Sequence, residues 1–229
     1  MATIAERYKG PADLPQRIPV FPLRGAILLP RASLPLHVFE PRYLQMLEDV
    51  MSTSRVLGII QPGGSGEEEE ESPAGNSAPL RAIGCAGRVT SYEELEDGRL
   101  LITLTGIARF ALVEEVALRK AYRICTVGYD RFAADFKAGA GEAEVDRQGL
   151  LKALKAYLEA RKMRADWSAI GKSSTESLVN SLSLAAPYGP EEKQALLEAP
   201  TLAARAQMLV ALAEMELAAG AGGPGSTLQ

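Results

Sequence analysis

"LPLHVFEPRYLQML", Leu34 to Leu47, is the stretch on which the reading of this chain turns. An apolar run carrying the only histidine, His37, passes through Phe39-Glu40-Pro41-Arg42-Tyr43 into residues at helical spacing. Leu34 to Phe39 reads as a buried strand. Pro41 suits the first turn of a helix, where the N–H that proline lacks would have no partner anyway. Tyr43, Leu44, Leu47 and Val50 then form one apolar stripe. Glu40 falls at the positive end of that helix, where a carboxylate is stabilised by about 0.3–1 kcal/mol. Arg42 is placed to pair with it. The simplest reading is a strand-to-helix corner; the competing one is that the same residues touch a ligand.

Around this corner the pattern is β-rich. "IPVFPL", Ile18 to Leu23, carries Pro19 and Pro22, which suit an edge or irregular strand because each removes a ladder donor. "GAILLP" follows. "RVLGIIQP", Arg55 to Pro62, reads as a buried strand. Residues 62–79 carry five consecutive glutamates and no apolar side chain larger than alanine or proline, so burial cannot offset their ordering entropy, and a disordered acidic loop is expected there. Asp97-Gly98 marks a hairpin, after which Leu100, Ile102 and Leu104 alternate with Leu101, Thr103 and Thr105. "YRICTVGYD" supplies another strand. Short strands at this spacing predict a barrel or rolled sheet.

Near residue 137 the pattern becomes Ala- and Leu-rich and helical. Helices are expected around Leu150–Leu158, after Ser173 with Glu176 at capping-box spacing, from Pro190, and from near Pro200. The fold class is therefore α+β: a β domain over 1–137, a helical bundle over 138–218 and a disordered tail over 219–229.

Composition narrows the function. The net charge of -4 argues against a non-specific nucleic-acid binder. No apolar run approaches the roughly 18 residues that a membrane span needs. The start "MATIAERYKG" lacks the basic-then-apolar pattern of a signal peptide, so a cytoplasmic location is expected. Cys85 and Cys125 lack CxxC spacing and read as reduced core thiols, and with one histidine a zinc site is not expected. Gly171-Lys172-Ser173 resembles the end of a phosphate loop, but Asp166 stands where the first glycine belongs, so a helix break is the better reading. No catalytic constellation is visible.

The stretch Ile18 to Val50 closely resembles the start of the Lon protease N-terminal domain family, most of all its stand-alone members. The resemblance rests on Pro19, Phe21-Pro22-Leu23, Pro30, Leu34-Pro35-Leu36 and Phe39-Glu40-Pro41-Arg42-Tyr43. A second signature matches at Gly84, Arg88, Asp97-Gly98-Arg99, Gly106 and Arg109-Phe110. It spans roughly residues 15 to 216 and departs at the Glu-rich insert and at His37. The resemblance implies a PUA-like pseudo-barrel of about six strands with a helix, followed by a helical bundle. It also implies a role: in full-length Lon-type proteases this domain binds substrate protein, while catalysis lies in ATPase and Ser-Lys peptidase modules that these 229 residues do not contain. The expected function is thus a non-catalytic, cofactor-free binder of unfolded or exposed polypeptide segments, an adaptor or accessory factor in protein quality control. A protease or chaperone complex is a further candidate partner. The partner-binding candidates are His37, Phe39, Glu40, Arg42, Tyr43, Arg88 and Arg109. The alternative is an RNA-binding PUA-like module using a local face of Arg81, Arg88, Arg99, Arg109, Arg119 and Arg123. A small-ligand site in the β domain is a third reading without a named reaction.

Overall fold

The computed structural model describes residues 7–64, 78–117 and 119–221. The expected acidic loop and tail lie mostly outside these residues. The chain forms two compact units, Met1–Ala138 with Ala186–Glu198, and Gly139–Ala185 with Ala199–Gln229.

The first unit is built on six strands: β1 Arg17–Pro22, β2 Ser33–Val38, β3 Val56–Pro62, β4 Leu80–Glu94, β5 Leu100–Glu115 and β6 Arg123–Gly128. Their order is β2-β5-β4-β3-β1-β6, and a further β5–β6 pairing closes five of them into a ring. β5 is long enough to serve both neighbours: Leu100–Thr105 pairs with β2, and Ala111–Glu115 with β6. Inside the ring Ile18, Val20, Val56, Ile60, Ala108, Phe110, Cys125 and Val127 pack as one buried cluster. All but the β1–β3 pair are antiparallel. The rolled sheet expected from the strand spacing is present.

The prolines of β1 misled on one point. β1 is interior, parallel to β3 and antiparallel to β6, rather than an edge. Its two partners divide the strand: Arg17–Val20 faces β6 and Val20–Pro22 faces β3. Pro19 and Pro22 each fall in a half that pairs on one side only, so neither missing N–H breaks two ladders.

Gly25–Pro30 forms no strand. Ile27, Leu28 and Leu29 are buried, and they enter a notch in the sheet made by the facing Gly87 and Gly106. A Cβ on Gly106 would stand 2.0 Å from the Leu29 carbonyl oxygen, and one on Gly87 2.5 Å from a Leu28 methyl. Hydrogen bonds from Arg31 N to Gly106 O (2.8 Å) and from Gly106 N to Ala32 O (2.9 Å) then lead the chain into β2. The β4–β5 connection is the expected tight turn, with Gly98 at φ +79 and Leu95 N donating to Arg99 O.

After β2 the chain turns into α1, Pro41–Met51, with Pro41 in its first turn. Its buried stripe is Tyr43, Met46, Leu47 and Val50; Met46 takes the place expected for Leu44.

A second departure concerns residues 186–198. Helix α5, Pro190–Glu198, belongs to the first unit and not to a continuous 138–218 bundle. The reason is polar. Gln61 Nε2 donates to Pro190 O (2.9 Å) and Gln194 Oε1 (3.1 Å), Gln194 Nε2 donates to Ile83 O (3.1 Å), and Arg109 Nη1 donates to Leu197 O (3.1 Å). Helical periodicity reports that α5 has a buried side, not what buries it.

The second unit holds α2 Arg147–Ala160, α3 Trp167–Lys172, α4 Thr175–Ala185 and α6 Leu202–Ala221. Asp146 and Asp166 cap α2 and α3 through Gly149 N and Ala169 N. α4 is capped by Ser174, whose Oγ accepts from Ser177 N, rather than by Ser173. Glu176 instead accepts from Gly139 N (2.9 Å). Gly171-Lys172-Ser173 closes α3, so it sits at the wrong helix end to cradle a phosphate. α6 runs to Ala221, past the expected start of the tail.

Two outcomes follow from the first unit. Gly106→Ala must push the Leu29 carbonyl aside, and urea unfolding should show a loss of about 3 kcal/mol. Lys193 is buried in α5, and burial pushes its ammonium down to about 8 from 10.5. Between those pH values the unfolded chain holds a proton that the folded one has released, so stability rises with pH there and the penalty is fully present below pH 8. Urea midpoints taken from pH 7.5 to 10 should show wild type gaining on Lys193→Met.

Candidate functional site

The β2 corner is held from both sides. Leu34, Leu36 and Val38 lie opposite Leu104, Ile102 and Leu100 of β5, which in turn face Val89, Tyr92 and Glu94 of β4. This is the inner face, but only Val38 of β2 is buried, and Leu34 and Leu36 stay half-exposed. The expectation of a buried strand fails here because β2 is the end of the strand order. On the other face Ser33, Pro35 and His37 are exposed, opposite Thr105, Thr103 and Leu101.

Phe39 follows with 64% of its surface exposed. Glu40 caps α1 with its backbone carbonyl, which accepts from Tyr43 N (2.9 Å) and Leu44 N (3.0 Å). Its carboxylate accepts from Arg42 Nε (2.9 Å) and Nη2 (2.7 Å). The Arg42 guanidinium also lies 4.6 Å from the Tyr43 ring centroid. Tyr43 stacks on Phe21 with centroids 4.0 Å apart, and burial pushes its phenol above the usual range.

Of the seven candidates, His37, Phe39, Glu40 and Arg42 share one accessible corner. Tyr43 supports it from beneath and is not reachable. Arg88 stands in the same sheet row as Ser33 through Thr105, donating to Tyr8 Oη (3.1 Å) and Ser54 O (2.6 Å). Arg109 does not belong to any exposed site: it is buried, with its backbone N, Nε and Nη2 all donating to the Asp135 carboxylate at 2.8–3.0 Å. Sequence reading missed the open edge of β2 and the exposed Tyr92 beside it. Pro35 in mid-strand was the available signal for the edge.

The six arginines of the RNA reading do not make an open basic face. Arg81 pairs with Glu191, Arg99 with Asp97, and the buried Arg123 with the exposed Glu115 (2.5 Å) while it also donates to Ala78 O (2.7 Å). With Arg88 and Arg109 engaged as above, Arg119 alone of the six makes no hydrogen bond or ion pair among the described residues. Both cysteines are buried and outside any disulfide, and burial together with Glu115 pushes Cys125 up to about 11, so its thiolate is disfavoured. Among the described residues no three His, Cys, Asp or Glu side chains converge as a metal would require, and no helix is long and apolar enough to cross a membrane. The second unit carries a shallow groove where Leu158, Met163 and Trp167 lie between Lys155, Glu159 and Arg164.

The first unit is thus a rolled sheet with β2 at the end of its strand order and an exposed aromatic corner where β2 meets α1. The model of the ATP-dependent protease La (LON) substrate-binding domain matches residues 17–214, and the chain belongs to that family. It is 28% identical over 207 residues to Lon protease 2 of Myxococcus xanthus, covering 87% of this chain and 24% of that one. It is 24% identical over 219 residues to Lon protease 2 of Thermus thermophilus, covering 90% and 25%. The chain thus spans about a quarter of the length of these relatives. Its fold is that of a Lon N-terminal domain protein from Xanthomonas campestris (TM-score 0.59, 21% identity, 85% of this chain and 97% of that one). The N-terminal domain of a Mycobacterium avium complex Lon protease is similar too (TM-score 0.62, 16% identity, 86% and 98%).

The corner and the buried pair should respond differently to mutation. Glu40→Gln breaks a half-exposed ion pair and should change unfolding free energy by less than about 1 kcal/mol. Asp135→Ala leaves the buried Arg109 uncompensated and should cost about 3–5 kcal/mol in the same assay.

Proposed function

We propose that this chain is a non-catalytic module that binds unfolded or otherwise exposed polypeptide segments, working as an adaptor or accessory factor in protein quality control. The observation that carries this reading is the match to a substrate-binding domain along nearly the whole described chain. The β2 corner supports it physically. Phe39 presents an aromatic ring to solvent at the turn into α1, and in the adjoining sheet Leu34, Leu36 and Tyr92 keep part of their surface exposed on the inner face. Exposed apolar surface of this kind marks partner sites, and unfolded chains offer the complementary apolar residues. His37, Glu40 and Arg42 form the polar border of the same corner. Polypeptide is held here, not cut: the residues at the corner offer no nucleophile with an adjacent base.

Reduced, carboxymethylated lysozyme is a permanently unfolded probe. Its fluorescence anisotropy should rise saturably with this protein at about tens of micromolar. Phe39→Ser should weaken that binding by about tenfold and leave the melting temperature unchanged, because the ring is exposed in the folded protein. A flat titration with wild type would remove the proposal.

A further inference from the structure

Closing the ring of β5, β4, β3, β1 and β6 leaves β2 with one free side. Gly106 N donates to Ala32 O as the chain enters β2. Antiparallel ladder bonds alternate, so Leu34, Leu36 and Val38 turn their backbone groups toward β5, while Ser33, Pro35 and His37 turn theirs outward. Among the described residues no other segment bonds to those outward groups, and the side chains of Ser33, Pro35 and His37 are exposed. The edge therefore offers two N–H donors, from Ser33 and His37, and three carbonyl acceptors.

We propose that an extended polypeptide segment binds by adding a strand to this free edge of β2, with apolar side chains at alternate positions. The proposal rests on the polypeptide-binding reading and adds the conformation in which the segment is held. The pleat dictates the pattern. Alternate side chains of an added strand fall beside the half-exposed Leu34 and Leu36, and the others fall beside Ser33, Pro35 and His37. Main-chain hydrogen bonds carry no sequence information, which suits a site that takes many unfolded segments.

Pro35 argues for a foreign segment over a second copy of this chain. Two β2 strands paired antiparallel about Pro35 would set the prolines face to face, and both central hydrogen bonds would be missing. A foreign segment loses one bond at Pro35 and keeps those at Ser33 and His37. Proline thus blunts self-pairing and leaves the edge usable by others.

Amide hydrogen exchange on the intact protein, with and without saturating carboxymethylated lysozyme, tests this directly. The Ser33 and His37 amides should slow by about tenfold or more in the complex, whereas those of Leu34, Leu36 and Val38 are already tied to β5. Pro35→Ala supplies the missing donor and should tighten binding. His37→Ala keeps the N–H and should hold affinity within about twofold, while His37→Pro removes it and should weaken binding about tenfold. Binding that leaves the Ser33 and His37 amides unprotected overturns the edge while the polypeptide-binding reading stands; absence of binding by wild type overturns both. Protection that appears with protein concentration alone assigns the edge to a second copy, and the proposal falls.

Discussion

The Arg109–Asp135 pair is the interaction on which the first unit depends. Asp135 receives three hydrogen bonds from Arg109, one of them from the backbone, so it fixes both the side chain and the strand β5 that carries it. Arg31 reaches the same residue through the Asp135 carbonyl (2.6 Å), which ties down the end of the Gly25–Pro30 segment. Arg109 Nη1 continues to Leu197 O at the end of α5. Phe132 lies 4.7 Å beneath the guanidinium and shields it from water. A buried ion pair adds little net stability over a well-packed apolar core, but it penalises every arrangement in which one partner is stranded. Four segments far apart in sequence are thereby committed to one geometry.

That geometry decides where the sheet stays open. β5 spends its first half on β2 and its second on β6, so ring closure satisfies every strand except β2. The notch at Gly87 and Gly106 seats Leu28 and Leu29 and delivers the chain to that one remaining edge. An unprotected edge is a hazard in most folds. In a chain that belongs to a substrate-binding domain family, that hazard is what the proposed strand addition would put to use.

Most of the fold was legible in the sequence because its signals are local. Asp97-Gly98 marks the hairpin, Pro41 opens a helix, and the buried run of β3 is continuous. What was not legible depends on partners distant in sequence. Pro19 and Pro22 argued for an edge, yet β1 is interior because its two halves pair on opposite sides. Leu34 to Phe39 argued for burial, yet β2 is the edge, since alternation reports faces and not neighbours. Of the candidate site residues, His37, Phe39, Glu40 and Arg42 do meet at one corner because they are consecutive or nearly so. Arg109 stands in the second family signature, and the acid that it pairs with lies 26 positions away with no local motif to announce it.

The division of the chain between the two units has a consequence for synthesis. Translation delivers every strand of the ring by Gly128, and Asp135 soon after. The α5 residues that complete the first unit follow only after Gly139–Ala185, which belongs to the second. Until Leu197 leaves the ribosome, Arg109 lacks one of its acceptors and Ile83 O lacks the Gln194 donor. The nascent β unit must therefore wait, unsealed, while part of its neighbour is made. The two units mature as an interleaved pair, and a chain interrupted between Ala138 and Glu198 would carry an exposed seam that the finished protein never shows.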